Sequence, residues 1–276
     1  MKKYFYILGI ITLISIGIIS ICFNLQKGTD KIMELNVSGG FASMNIHFEY
    51  YKNGSVIYNN LKTSTKISVI LPTTIVKELE TRINTLLETY PYGLDLKPDP
   101  NSADYFTYNL QVFSNGKKVI YRWTDISNSS KELFYVAQFI FEINNFVLNR
   151  NTIFVYLKID ELNIKSGEKA KIFAVAMNPT QENFSYSSPT PCSPDFRLYL
   201  YTLEGEKIEL FPTNYNASKP CIQVVQTRVL KPGDLIQSEY EYTFSKEGIY
   251  TIEVLFPYAD WNQVRYDNRI NIEVSK

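Results

Sequence analysis

Turn dipeptides recur along this chain at short intervals, and no other feature restricts its fold as much. Asn53-Gly54 and Asn115-Gly116 lie between alternating apolar runs in the first half. Ser166-Gly167, Asn178-Pro179, Glu204-Gly205, Pro232-Gly233 and Glu247-Gly248 break up the second half in the same way. Such pairs supply the left-handed or fixed backbone angles of tight turns, so the runs between them can only be short strands joined mostly as hairpins. Tyr (21) and Phe (17) are abundant, which suits pleated, half-buried surfaces.

Strands are expected in the first half at Met33–Val37, Met44–Tyr51, Val56–Asn60, Lys66–Leu71, Tyr105–Phe113 and Lys118–Trp123. Two segments break the pattern. After Pro72, the residues Ile75, Val76, Leu79, Ile83, Leu86 and Leu87 follow helical spacing, with Lys77, Glu78, Glu80 and Arg82 between them, until Pro91. From a cap at Ser129 or Ser130, Leu133, Phe134, Val136, Ala137, Ile140, Phe141 and Ile143 give a second helix through Asn149. The second half offers seven or eight strands and no convincing helix. The pattern predicts an α+β domain over 32–149, an antiparallel sheet with two helices, followed by an all-β immunoglobulin-like sandwich over 150–276.

Residues 1–25 read differently. Lys2 and Lys3 precede an uncharged, Ile- and Leu-rich segment from Tyr4 to Leu25, long enough to cross a bilayer as a helix. The expectation is an N-terminal transmembrane helix with the lysines in the cytoplasm, a short tether over 26–31 and the body outside. Lipidation at Cys22 and cleavage as a signal peptide are the alternatives, and both also export the body. Export fits five Asn-x-Ser/Thr acceptor sequences, at Asn36, Asn53, Asn128, Asn183 and Asn216, although an Asn- and Ser-rich chain collects these by chance. Cys192 and Cys221 are the two cysteines of the body, and an oxidising compartment would join them.

Motifs that carry chemistry are largely missing from the sequence. Lys plus Arg equals Asp plus Glu at 28 each, so the basic field of a nucleic-acid binder is missing. There is one histidine, His47, in an alternating strand, and no phosphate loop, HExxH, GxSxG or cysteine cluster. No enzyme activity, cofactor or metal is expected. Asp95, Asp99 and Asp104 could hold Ca²⁺ from one loop, but a solvated loop explains them equally. What remains is binding to another protein, by a body expected to be monomeric. Ser38-Gly39-Gly40-Phe41-Ala42 could admit a partner backbone at the glycines and offer Phe41 as an anchor, or could be a tight turn with Phe41 in the core. The proline-rich loop Tyr186–Pro194 is either a rigid binding loop or an ordinary stapled one.

Two resemblances give these features a direction. Ser38–Ala42, Asp104-Tyr105-Phe106-Thr107-Tyr108-Asn109-Leu110-Gln111-Val112 and Tyr121-Arg122-Trp123-Thr124-Asp125, in that order, resemble emfourin, a proteinaceous inhibitor of thermolysin-like zinc metalloproteases. Ser43 stands where that family often has Gly, and Asn53–Thr65 is longer than its usual connection. Asn178-Pro179-Thr180, Asp195-Phe196-Arg197-Leu198-Tyr199, Leu230-Lys231-Pro232-Gly233-Asp234 and Glu247-Gly248-Ile249-Tyr250-Thr251 are similar to the BsuPI-type intracellular proteinase inhibitor domain, an immunoglobulin-like fold; Tyr242 replaces an expected Trp. Together they imply an extracytoplasmic protease inhibitor with Ser38–Ala42 against the enzyme. The rival expectations are a non-inhibitory cell-surface interaction module and a secreted glycan-binding protein, which would use exposed aromatics among the 21 tyrosines.

Overall fold

The structure, a computed structural model, describes residues 31–41, 43–98, 104–127, 130–149, 153–202, 204–218, 220–256 and 266–276. Its elements in chain order are β1 (Lys31–Gly39), β2 (Met44–Tyr51), β3 (Ser55–Asn60), β4 (Thr65–Ile70), α1 (Thr73–Thr89), β5 (Leu94–Asp95), β6 (Phe106–Ser114), β7 (Lys117–Thr124), α2 (Lys131–Asn149), β8 (Phe154–Ile159), β9 (Ile164–Lys165), β10 (Lys169–Met177), β11 (Phe184–Ser188), β12 (Arg197–Tyr201), β13 (Lys207–Leu210), β14 (Gln226–Leu230), β15 (Leu235–Thr243), β16 (Gly248–Phe256) and β17 (Tyr266–Ser275).

Contacts divide the chain into two units, residues 1–76 with 91–127 and residues 77–90 with 128–276, and the division falls within α1. The first unit is one sheet in the order β4-β3-β2-β1-β6-β7-β5, antiparallel except for the parallel pair β5–β7. Alternation explains its two faces. Met33, Leu35 and Val37 of β1, Phe48 and Tyr50 of β2, Val56 and Tyr58 of β3, Leu110 and Val112 of β6, and Tyr121 and Trp123 of β7 are all buried. The register sets Leu35 opposite both Phe48 and Leu110, and Phe48 opposite Tyr58, where the rings lie 5.0 Å apart. The residues between them, including Glu34, Asn36, His47, Glu49 and Asn109, form a polar, half-buried face.

The second unit holds three sheets, β15-β10-β8, β11-β14 and β13-β12-β16-β17-β9. Their inward residues make one core that includes Ile172, Leu198, Leu200, Tyr240, Phe244, Ile252 and Phe256. The helical residues of this unit pack in as well. Ser130 caps α2 through its Oγ, which accepts from the Leu133 N–H at 3.2 Å. Phe139 of α2 meets Phe154 and Tyr156 of β8 edge-on at 5.9 and 5.3 Å, and Phe146 meets Phe154 at 5.6 Å. Arg82, on α1, is almost wholly buried. It donates to Glu78 at 2.8 Å, to the Leu157 carbonyl at 2.7 Å and to the Tyr135 carbonyl at 3.3 Å, while its guanidinium lies 3.9 Å from the centre of the Tyr135 ring.

The expected fold class is therefore corrected. Strands in four sheets dominate both units of the described chain, which has two helices. The contacts of α2 and of most of α1 gather with the C-terminal sheets, because Arg82, Phe139 and Phe146 find their partners there. No helix among the described residues is long and apolar enough to cross a membrane, and the expected N-terminal transmembrane helix falls on residues outside them. The Tyr4–Leu25 segment with Cys22 lies outside the described residues.

Candidate functional site

The Ser38–Ala42 segment forms the tip of the β1–β2 hairpin. Strand β1 ends at Gly39, paired with Met44 on one side and Phe106 on the other. Gly39 and Gly40 have φ values of +104° and +69°. A Cβ on Gly39 would lie 2.5 Å from the Tyr105 carbonyl oxygen, and one on Gly40 would lie 2.4 Å from the Phe106 ring. Both glycines are thus required by the neighbouring strand of the same chain as well as by backbone angle. The Gly40 N–H donates to the Tyr105 carbonyl at 3.1 Å, and the Ser43 N–H donates to the Gly40 carbonyl at 2.8 Å.

The start of β6 is fixed in turn. The Phe106 N–H donates to Asp125 Oδ1 at 2.9 Å, and the Asp125 N–H donates to the Phe106 carbonyl at 3.3 Å. The three segments of the emfourin resemblance therefore meet at one end of the sheet, where Tyr105 bonds the tip and Asp125 bonds the start of β6. Phe41 projects from that tip with 96% of its surface exposed, so the alternative of a tight turn with Phe41 in the core does not hold. Ser38 is also exposed, and Ala42 lies outside the described residues.

The polar face carries the one histidine. His47 Nδ1 lies 2.7 Å from Asn36 Oδ1, which turns Nε2 towards Glu49, 3.6 Å away. Glu34, His47 and Glu49 each bring a ligand atom within 4.8 Å of the others, a set that could hold a metal ion. Here Lys31 spans the two carboxylates at 2.5 and 2.6 Å, so the chain's own ammonium already compensates them. Burial alone would push the Glu49 carboxyl up, but the bonds and charge from Lys31, Tyr51 and His47 hold it below its ordinary value. Of the calcium candidates, Asp95 lies in β5, Asp104 precedes β6 at φ +63° and Asp99 lies outside the described residues.

In the second unit Cys192 and Cys221 are joined as a disulfide. Arg228 clamps the proline-rich loop beside it. Arg228 pairs with Asp195 and donates to the Pro191 and Ser193 carbonyls at 3.0 and 3.2 Å, while the Tyr186 hydroxyl donates to Asp195 at 2.7 Å. Burial, with Asp195 beside it, raises the Tyr186 hydroxyl well above its ordinary value, so it remains a donor. Asn178, from the BsuPI-like motif, is fully buried and fully bonded: Nδ2 donates to the Glu182 and Leu230 carbonyls at 2.7 and 2.8 Å, and Oδ1 accepts from Thr180. Asn178 thus holds the fold from within.

Sequence reasoning missed a cleft of about 370 Å³ beside the disulfide, lined by Arg197, Glu209, Phe211, Tyr215, Asn216 and Gln223 among others. Its residues come from three separated segments, which no local pattern joins. Among the acceptor asparagines, Asn53, Asn183 and Asn216 are exposed, Asn36 is mid-strand and half-buried, and Asn128 lies outside the described residues.

The chain matches no protein-family model, and no curated protein matches it. Solved structures resemble parts of it. The sporulation control protein Spo0M from Bacillus subtilis aligns at 11% identity over 46% of this chain and 50% of that one, with a TM-score of 0.28. A β-glucosidase from Listeria innocua in complex with glucose aligns at 13% identity over 44% of this chain and 16% of that one, with a TM-score of 0.24. The CARDB domain of PF1109 from Pyrococcus furiosus aligns at 12% identity over 45% of this chain and 97% of that one, with a TM-score of 0.26. This chain thus spans half or less of the first two.

Proposed function

We propose that this chain is an extracytoplasmic, non-enzymatic protease inhibitor that blocks a thermolysin-like metalloprotease through the tip of the β1–β2 hairpin. The observation that carries the reading is Phe41, 96% exposed on a turn bonded at Gly40 to the Tyr105 carbonyl, next to a β6 start that Asp125 holds. An exposed aromatic ring on a rigid support loses little entropy on binding and can fill an apolar subsite. The disulfide supports an oxidising compartment.

The test is a titration of the full chain against a thermolysin-like protease hydrolysing a small peptide. Stoichiometric loss of turnover, abolished by Phe41→Ala, supports the reading. Equal inhibition by Phe41→Ala would remove the tip from the mechanism. A second reading, a non-inhibitory surface interaction module, draws on the exposed apolar residues Ile222, Val224, Val225 and Val229 in the second unit. It requires protein binding that leaves catalysis intact.

A further inference from the structure

The cleft beside the disulfide has the chemistry of a sugar site. Phe211 follows β13, the edge strand of its sheet, and stacks on Tyr215 with ring centres 5.1 Å apart and planes 13° from parallel. Phe211 is 54% exposed and Tyr215 is 37% exposed, so the pair keeps open aromatic surface. Aromatic faces carry partial negative charge, which attracts the polarised C–H groups on one side of a pyranose ring. Around them stand planar polar ends: the Arg197 guanidinium, the Glu209 carboxylate and the amides of Asn216 and Gln223. These groups can bond sugar hydroxyls, Asn216 through its Nδ2, since its Oδ1 accepts from the Ser218 N–H at 3.0 Å. The volume, about 370 Å³, falls within the range of small-molecule clefts.

Two further observations narrow the ligand. Arg197 and Glu209 lie 3.4 Å apart and neutralise each other, which leaves no unopposed charge on this pair for a phosphate or an acidic group. The backbone of the surrounding loops is already engaged. The Thr213 N–H donates to the Glu239 carbonyl, the Tyr215 N–H to the Pro212 carbonyl and the Ser193 N–H to the Thr190 carbonyl, while Arg228 takes the Pro191 and Ser193 carbonyls. These named groups are therefore engaged within the chain, and a sugar needs only the side chains.

We propose that this cleft binds an uncharged oligosaccharide, with the Phe211–Tyr215 pair as its stacking platform. The Cys192–Cys221 bond and the Arg228 clamp hold one wall in place, so the site is ready-formed. The proposal is independent of the hairpin tip and of protease inhibition.

The full chain, made in a host without N-glycosylation so that Asn216 is bare, is applied to an array of neutral hexose and N-acetylhexosamine oligomers. The best binder is then titrated by calorimetry. Saturable binding is expected, weakened about tenfold or more by Tyr215→Ala and by Phe211→Ala and unchanged by Phe41→Ala. Both rings are exposed, so an unchanged melting midpoint checks that the variants remain folded. Gln223→Ala is a second, exposed change that leaves the stack alone and is expected to weaken binding as well. The proposal is overturned if no neutral oligomer binds at ~5 mM, if binding survives both aromatic truncations, or if only anionic glycans bind.

Discussion

Arg82 shows what a single side chain can hide. In the sequence it sits among Lys77, Glu78 and Glu80, between the apolar positions of an amphipathic helix, and reads as part of the solvent face. In the structure it is 2% exposed and shares a buried site with Glu78. Periodicity places residues around a helix but does not say how wide the covered face is, so the burial was not legible. Removing one partner of a buried ion pair strands the other and the carbonyls it served. Arg82→Ala is expected to cost about 3–5 kcal/mol in urea unfolding. Gly39→Ala meets the Tyr105 carbonyl at a φ of +104° and is expected to lower stability by about 1–3 kcal/mol. Phe41→Ala, by contrast, should stay within roughly 0.5 kcal/mol of the native protein, because the ring touches solvent. These three melts separate a fixed tip from its exposed anchor.

At the scale of elements, the local grammar was readable. The Asn53-Gly54 hairpin forms with Gly54 at φ +84°, and strand β2 runs over Met44–Tyr51 as the alternation implies. Pro72 and Pro91 bracket α1, and Ser130 caps α2. Short or non-local pieces escaped: β5 and β9 are two residues each and pair in parallel with distant strands, and β11 depends on β14. Two-residue strands carry no periodicity to detect. Lys31 joins β1 to β2 through Glu34 and Glu49, a link with a pH signature. Glu49 has a lowered pKa, so its contribution is present above the ordinary carboxylate pKa and is lost as pH falls through the lowered one. Urea midpoints between pH ~2.5 and ~6 should show this acid-side loss, and Lys31→Met should diminish it. The disulfide joins cysteines 29 residues apart. Replacing both cysteines by serine should cost about 2–4 kcal/mol, and reductant should lower the melting midpoint of the native protein but not of that variant.

For the molecule as a whole, pattern alone suggests a boundary near 150, where helices give way to strands. The contacts of residues 77–90 and 128–149, however, gather with the C-terminal sheets. A fragment of residues 150–276 lacks Phe139, Phe146 and Arg82, and so uncovers Phe154, Tyr156 and the Leu157 carbonyl. It is expected to aggregate or to melt without cooperativity, whereas a compact, sharply melting fragment would show that the helices are dispensable. The candidate site was partly legible for the same reason that the boundary was not. The hairpin tip is a run of five adjacent residues, while the cleft is assembled from distant ones.

The bond between Arg82 and Leu157 also places a demand on biosynthesis. The ribosome finishes Arg82 seventy-five residues before its acceptor exists. At roughly 5–20 residues per second, the guanidinium waits several seconds with its final partner not yet made. During that interval β6 and β7 are synthesised, and β6 can pair with β1 on one side and with β7 on the other. The nascent chain can thus complete its first sheet before β8 exists, while the Arg82 end of α1 still lacks its acceptor.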